Sequence, residues 1–532
     1  MTAVSGRRGI KTFLLLSSII IPVALGLAVR LIGLRHGEPD LIYHPDMAKQ
    51  ILVARSAYLG NPDPRVIYGA EDIRRSMYPY GTAVITAGLT RLYAVVSGAD
   101  PEASGQFQWA LRMRYLAVFV VLCSAAGVLL FMFYQTGPMA ALLTGTLLCL
   151  EPVNAQFSHY GMNDVPLFSL LALSWVASGL MGREKASLPV FSLLSGLCAG
   201  IAFGIKYQGV LGLLFAGIAG LILLRRKGWK WAAPAALAVL GGFSCGALLT
   251  CPLLRSAPAY FFGAFPKFMS WQANILDRTI PLAGKLPRNT AAVAHLLWPS
   301  GHWLLVAGAA AAVVSAFSNR HVTEKNIPVF SASAFCALTL ITVIGARDII
   351  RANDLISLLG FLVLLSGYAI ARAGQTRGKR RALSRRVFVV LPAVLAGAFF
   401  AISLLDARAL ARPDTQLLAA EWCRKHIPAR STVVRERYTM SPGRRDIEEY
   451  AVRYVCEAAV RGHIEAGRVD YVITSSLARD RFFDPYSPYC DKENQSVYNG
   501  ITNRYESAAV FADRPLFYNQ PRITVFRKRR SE

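Results

Sequence analysis

Asp46 closes the motif Tyr43-His44-Pro45-Asp46. The proline ring fixes the neighbouring backbone, so a carboxylate there is held in one geometry, as a general base requires. A second acid, Asp164, stands in Ser158-His159-Tyr160-Gly161-Met162-Asn163-Asp164-Val165-Pro166, where one apolar run gives way to the next. An Asp in that place also caps a helix by accepting from free N–H groups, and the two roles are compatible. Lys206, in Gly204-Ile205-Lys206-Tyr207-Gln208-Gly209, interrupts another apolar stretch. A charge there is expensive unless it snorkels to the interface or holds a partner. Arg347 and Arg351 flank a short polar break with Asp348 and Asp354. They either pair with those acids or hold a phosphate at the lipid surface. His159 is a further candidate contact, although a histidine near a helix end is commonly just hydrogen-bonded.

The elements that must position these residues are membrane spans. Of 532 residues, 54% are hydrophobic and only 17% charged, so the solvent of this chain is mostly lipid. The net charge of +26 comes from Lys and Arg flanking apolar runs, not from a stripe on a soluble domain, which argues against a nucleic-acid partner. At about 20 apolar residues per span, eleven are expected, at 12–34, 113–133, 137–155, 166–181, 188–204, 208–224, 232–253, 296–316, 328–346, 354–372 and 387–405. The first is too long for a signal peptide and is read as a retained helix. Residues 80–96 are apolar but carry Arg91, and parity decides their reading. If they lie along the interface, then Arg7, Arg8 and Lys11, the run 225–230 and the run 377–386 all share the cytoplasmic side, as the positive-inside rule expects. The loops 35–112, 156–165, 204–207, 254–295 and 347–353, and everything after Asp406, then face the other side. Nearly all the candidate chemistry falls there.

After residue 405 the composition turns polar. Strand-like runs at 432–434 and 469–474, a helix at 415–426 and another at 447–460, with Asp446 and Glu449 at capping-box spacing, describe an exported α/β domain over 406–532. The expected architecture is therefore a polytopic α-helical membrane domain, 1–405, with interfacial helices in its first extracytoplasmic loop, followed by a soluble α/β domain. Six of nine cysteines lie in or beside apolar spans, and Cys423, Cys456 and Cys490 leave room for one disulfide in the exported domain. No CxxC, HExxH or P-loop pattern occurs, and no internal repeat of the kind that builds many transporters stands out.

With these motifs in this order, the chain resembles the polytopic (GT-C type) glycosyltransferases that use polyprenyl-phosphate sugars, the group of the protein O-mannosyltransferases and the lipid A aminoarabinose transferase. The resemblance rests on His44-Pro45-Asp46, Met77-Tyr78-Pro79-Tyr80-Gly81, Asn163-Asp164-Val165-Pro166 and residues 204–207. It continues in Asp414-Thr415, Ala420-Glu421-Trp422, Ile427-Pro428 and Asp470-Tyr471-Val472-Ile473. Many relatives have Asp-Glu where this chain has Asp46-Met47. An Arg-Tyr-x-x-Pro-like stretch in relatives is replaced here by Arg351-Ala352-Asn353-Asp354.

The resemblance implies a direct, inverting displacement at an anomeric carbon, from a polyprenyl-phosphate-linked donor to an extracytoplasmic protein, glycolipid or polysaccharide. Asp46 then acts as base, and Asp164 orients the reactants or shares a divalent metal with Asp46. Lys206, Arg347 and Arg351 face the phosphate, and His44, His159, Asn163 and Tyr207 line the substrate site. The expected location is the inner or plasma membrane, with the N-terminus cytoplasmic. A ligase for whole lipid-linked glycans shares this face and these cations. A flippase or transporter would instead place its charges near the bilayer midplane, and a scaffold would show no coupled role for Asp46 and Lys206.

Overall fold

The computed structural model describes residues 2–38, 45–98, 105–181, 187–273, 282–298, 301–317, 326–346, 350–375, 380–485, 487, 489–512 and 521–529. The chain forms two compact units, Met1–Leu34 with Ile42–Leu404, and Arg35–Leu41 with Leu405–Glu532. Among the described residues the first is entirely helical. Among the described residues eight helices are long and apolar enough to cross a membrane, and Pro138–Leu150, Asp164–Leu180 and Trp303–Ala316 are shorter apolar helices. These account for all eleven expected spans, and the protein is a multi-pass membrane protein.

Local sequence sets the breaks between helices. Gly137 (φ 91°) followed by Pro138 separates the helix Gln106–Thr136 from Pro138–Leu150, because glycine reaches that φ freely and proline opens a helix without needing its N–H. The span expected at 296–316 starts later, at Trp303, since residues up to 297 belong to another helix, Leu282–Leu297. Two more helices, Pro252–Ser256 and Pro258–Ala273, occupy much of the stretch read as the loop 254–295. The helix Gly81–Ser97 buries Thr82, Thr86 and Thr90 and exposes Leu92, Val95 and Val96 near its end, so only its first half is enclosed by protein.

The tightest helix pair positions Lys206. In Leu188–Ile205, Gly196, Gly200 and Gly204 face Trp229–Thr250 so closely that a Cβ would overlap Val239 O, Phe243 O and Thr250 Oγ1 respectively. Gly242 and Gly246 return the contact against Leu193 O and Leu197 O. With lipid on both sides the hydrophobic effect does little to drive helices together. Small residues at four-residue spacing gain dispersion contact instead. This seam fixes the end of the helix at Ile205, after which Lys206 turns extended (φ −156°, ψ 130°) before a 3-10 turn over Tyr207–Leu211.

The second unit carries a five-stranded sheet: β1 (Thr432–Glu436), β2 (Glu448–Val452), β3 (Tyr471–Ser475), β4 (Tyr505–Phe511) and β5 (Ile523–Lys528), in the order β2-β1-β3-β5-β4. The first three strands are parallel, and β5 is antiparallel to both β3 and β4. Central β3 is buried throughout, which is why its sequence is a continuous run rather than an alternating one. One face packs Val434, Val472, Phe482, Tyr498 and Ile501, and the other packs Ala419, Cys423, Val433, Ile473 and Val525. The expected helix Thr415–His426 is present, capped by Asp414. The helix expected at 447–460 is not. That stretch is β2, followed by a helix only at Ala458–Glu465. Arg435 of β1 takes Glu449 across the strand pair and Arg444 takes Asp446, so both capping-box acids are committed elsewhere. Long-range pairing has overridden a local helix signal. Cys423, Cys456 and Cys490 are free thiols.

Candidate active site

Pro79 ends the segment that leads into the helix Gly81–Ser97, and its carbonyl oxygen is where the polar loops meet. Gln50 Nε2 donates to it at 2.9 Å and Asn163 Nδ2 at 3.1 Å. The same Asn163 amide donates to Ile205 O at 2.9 Å. Both carbonyls demand donors, so the amide nitrogen of Asn163 must face them, and its oxygen is turned away. Two residues before Pro79, Met77 O accepts from the Tyr207 hydroxyl at 2.6 Å. A Cβ on Gly81 would overlap the backbone of Gly204 and Ile205. Only glycine permits that approach. Segments 77–81, 163–164 and 204–207 are thus tied together within one residue of Asp164 and Lys206.

Lys206 Nζ lies 2.5 Å from Asp164 Oδ1, with the lysine side chain 20% and the aspartate side chain 6% exposed. Asn353 Nδ2 reaches the other oxygen, Oδ2, at 3.3 Å. The polar break after the helix Ile327–Ala346 therefore joins the same cluster. Arg351, two residues from Asn353, is exposed, and its backbone N–H donates to Asp354 Oδ2 at 3.2 Å.

The expected site residues thus divide into groups. Asn163, Asp164, Lys206 and Tyr207 are brought together, and Arg351 lies two residues from Asn353, a direct partner of Asp164. The Tyr207 hydroxyl is occupied by a main-chain carbonyl, and its ring sits among Met77, Cys251, Phe261 and Phe268, so it secures the joint. His159 sets its ring nitrogens 2.9 Å from Ala155 O and 2.8 Å from Ile32 O, so its N–H meets a carbonyl in either tautomer, beside the end of the first helix. Asp46 lies in the first turn of the helix Pro45–Tyr58, one turn before Gln50, and its side chain is outside the described residues. His44 and Arg347 are also outside them. Among the described residues no three His, Cys, Asp or Glu side chains gather to hold a metal, and Asp164 has an ammonium and an amide as its partners.

Behind this cluster lies a buried polar support. Glu151 caps the helix Pro152–Ser158 through the N–H groups of Val153 and Asn154, and also takes His302 Nε2 at 2.8 Å. Arg30 donates to Cys149 O at 2.5 Å and to Asn154 Oδ1 at 2.9 Å. An acid immediately before a proline inside the run 137–155 was the visible signal for Glu151. Gln50, Asn353 and the Pro79 carbonyl had no such signal, because amides are common and a main-chain oxygen is anonymous in sequence.

The fold has known counterparts. The chain is similar to the archaeal oligosaccharyltransferase AglB from Archaeoglobus fulgidus, solved in complex with an inhibitory peptide and a dolichol-phosphate, at TM-score 0.53 and 11% identity, over 96% of this chain and 74% of that one. It also aligns with ArnT from Cupriavidus metallidurans bound to undecaprenyl phosphate, at TM-score 0.48 and 14% identity, over 96% and 97% of the two chains. No protein-family model and no curated protein matches the chain. At such identities the likeness to AglB is one of fold, and the fold is the one the motif resemblance implied: a polytopic helical membrane domain with a C-terminal α/β region.

Proposed function

We propose that this protein is a membrane glycosyltransferase that moves a sugar from a polyprenyl-phosphate-linked donor to an acceptor on the extracytoplasmic face, inverting the anomeric centre. The observation that carries this reading is the Lys206–Asp164 pair, held by Asn163 where four polar segments converge at one end of the helix bundle. A fold shared with a protein solved with dolichol-phosphate, a polyprenyl phosphate, supports the choice of donor.

In the reaction, an acceptor hydroxyl attacks the anomeric carbon as Asp46 takes its proton. The bond from that carbon to the phosphate oxygen breaks, and polyprenyl phosphate leaves with the electron pair. Lys206, with Arg347 and Arg351, stabilises the departing charge, the role preorganised cations serve at phosphate leaving groups. Asp164 holds Lys206 in register until the donor phosphate arrives, and then orients the reactants. The N-terminus and residues 377–386 are cytoplasmic in this reading, and the domain 406–532 lies on the acceptor side of the inner or plasma membrane.

Comparing the envelope glycans of a deletion strain with those of its parent by mass spectrometry tests the proposal. One sugar should be missing from a defined glycan or glycoprotein, restored by the parental gene and not by a gene carrying Lys206→Met. Unchanged envelope glycans would contradict the proposal.

A further inference from the structure

A cavity of about 110 Å³ opens on one face of the C-terminal sheet, remote in sequence from every residue assigned to transfer. Its walls come from β3, β5 and two helices, Ser476–Phe483 and Lys492–Arg504. At about 10–15 Å³ per water it holds several waters, the scale of one small ring rather than of an extended chain.

Its lining is mixed in an ordered way. Phe483, Tyr498, Ile501 and Phe526 supply apolar surface, while Thr474, Arg479, Asn499 and Thr502 supply hydroxyl, guanidinium and amide groups. Thr474 is the informative member. It is 3% exposed, lies on central β3 on the same face as Val472 of the apolar core, and lines the cavity. A threonine in the cavity wall offers its hydroxyl to whatever enters the cavity. Arg479 Nε is buried with no hydrogen-bond partner, only a 3.5 Å contact to the adjacent Asp480, and its guanidinium lies 5.4 Å from the Phe483 ring centre; a buried N–H left without an acceptor is costly unless something in the cavity meets it.

Tyr498 is held in place from behind. Its hydroxyl bonds to Glu436, which is fully buried and also accepts from the Val455 and Ser475 N–H groups at 3.0 Å each. The phenol oxygen is therefore committed to the protein, and the ring is left to the cavity as an apolar wall. An aromatic wall, a wall hydroxyl, and an amide with a guanidinium whose Nε lacks a partner complement a ligand with an apolar ring face and a hydroxyl-bearing edge.

We infer that the exported domain carries a second, non-catalytic sugar site in this cavity, which takes one ring, neutral or bearing a single acid group, of a glycan on the acceptor side. The inference takes the acceptor side from the transferase reading but stands on a separate set of residues, so sugar binding in the cavity and sugar transfer can each fail without the other. The cavity retains acceptor glycan, and Arg479 selects between neutral and acidic rings.

The test uses the full-length protein in detergent. Saturation-transfer NMR, with titration, is run against methyl glycosides of neutral hexoses, pentoses and uronic acids. At least one should bind saturably, with about tenfold weaker binding in Thr474→Val and in Arg479→Gln, the loss expected for one missing hydrogen bond in a partly desolvated site. Asn499→Ala, on an exposed position, should weaken binding without any folding risk. Asp164→Asn should leave it unchanged. No saturable binding by any glycoside would overturn the inference. So would binding that ignores the Thr474, Arg479 and Asn499 substitutions, or that moves with Asp164 instead.

Discussion

Lys206 Nζ and Asp164 Oδ1, 42 residues apart in sequence, are 2.5 Å apart in the structure. Two groups expected from sequence to serve different partners, one a phosphate and the other an acceptor or a metal, therefore bond to one another. The carboxylate already offsets part of the ammonium's charge, so an arriving phosphate competes with Asp164 for Lys206.

That competition predicts opposite signs for two substitutions. Asp164→Asn frees Lys206 and should tighten binding of polyprenyl phosphate, about tenfold if one charge-assisted contact is released, while slowing transfer. Lys206→Met should weaken donor binding by about ten- to a hundredfold, the equivalent of ~1.5–3 kcal/mol. Titration of both purified variants with polyprenyl phosphate decides it. Weaker binding in Asp164→Asn would remove the competition from the account.

The Asn163 amide predicts a graded loss. In Asn163→Ala, Pro79 O keeps its bond from Gln50 but Ile205 O loses its side-chain donor, at a cost of about 1–3 kcal/mol if that oxygen stays dry. Asn163→Asp sets a carboxylate against two carbonyl oxygens and should be worse, in both thermal stability and turnover. Equal behaviour of the two variants would show that the amide nitrogen does not hold the loops.

Glu436 predicts a pH dependence confined to the C-terminal unit. Burial pushes its pKa up to about 7 from an ordinary 4.5, against hydrogen bonds that lower it. The folded state therefore holds a proton that the unfolded chain releases. The stabilisation is complete below the unfolded value and is lost as pH rises through about 7. Asp414, raised by burial to about 6, acts in the same direction. Hydrogen exchange of β1 and β3 in the full chain should show opening becoming easier across that window, and Glu436→Gln should flatten much of the slope. An unchanged slope in Glu436→Gln would remove Glu436 as its source.

Sidedness is open to direct labelling. A cysteine introduced near Asn494 should react with a membrane-impermeant maleimide from outside the cell, and one near Gln375 should not. The reverse pattern would put the active-site end of the bundle on the cytoplasmic side.

What the sequence made legible follows from the physics of each element. Spans were readable because lipid imposes a length and a composition at once, and all eleven stretches fall on helices. Residues 415–426 were readable because Asp414 caps the helix locally. Residues 447–460 misled because β2 owes its form to register with β1, Thr432 against Glu448, which no local pattern contains. In the site, Asp164 and Lys206 were each visible as charges placed where charges are costly. That they face one another depends on a glycine seam and a shared main-chain carbonyl, and neither is written in side-chain chemistry.

The most direct measurement is release of polyprenyl phosphate by the purified protein given a polyprenyl-phosphate sugar, with and without an acceptor extract from the deletion strain. Release should depend on acceptor and match sugar transferred one for one. Asp46→Asn should retain donor binding while turnover falls by about 10²–10⁴-fold, the contribution of general-base catalysis. Release without acceptor, no release at all, or near-parental turnover in Asp46→Asn would contradict the account.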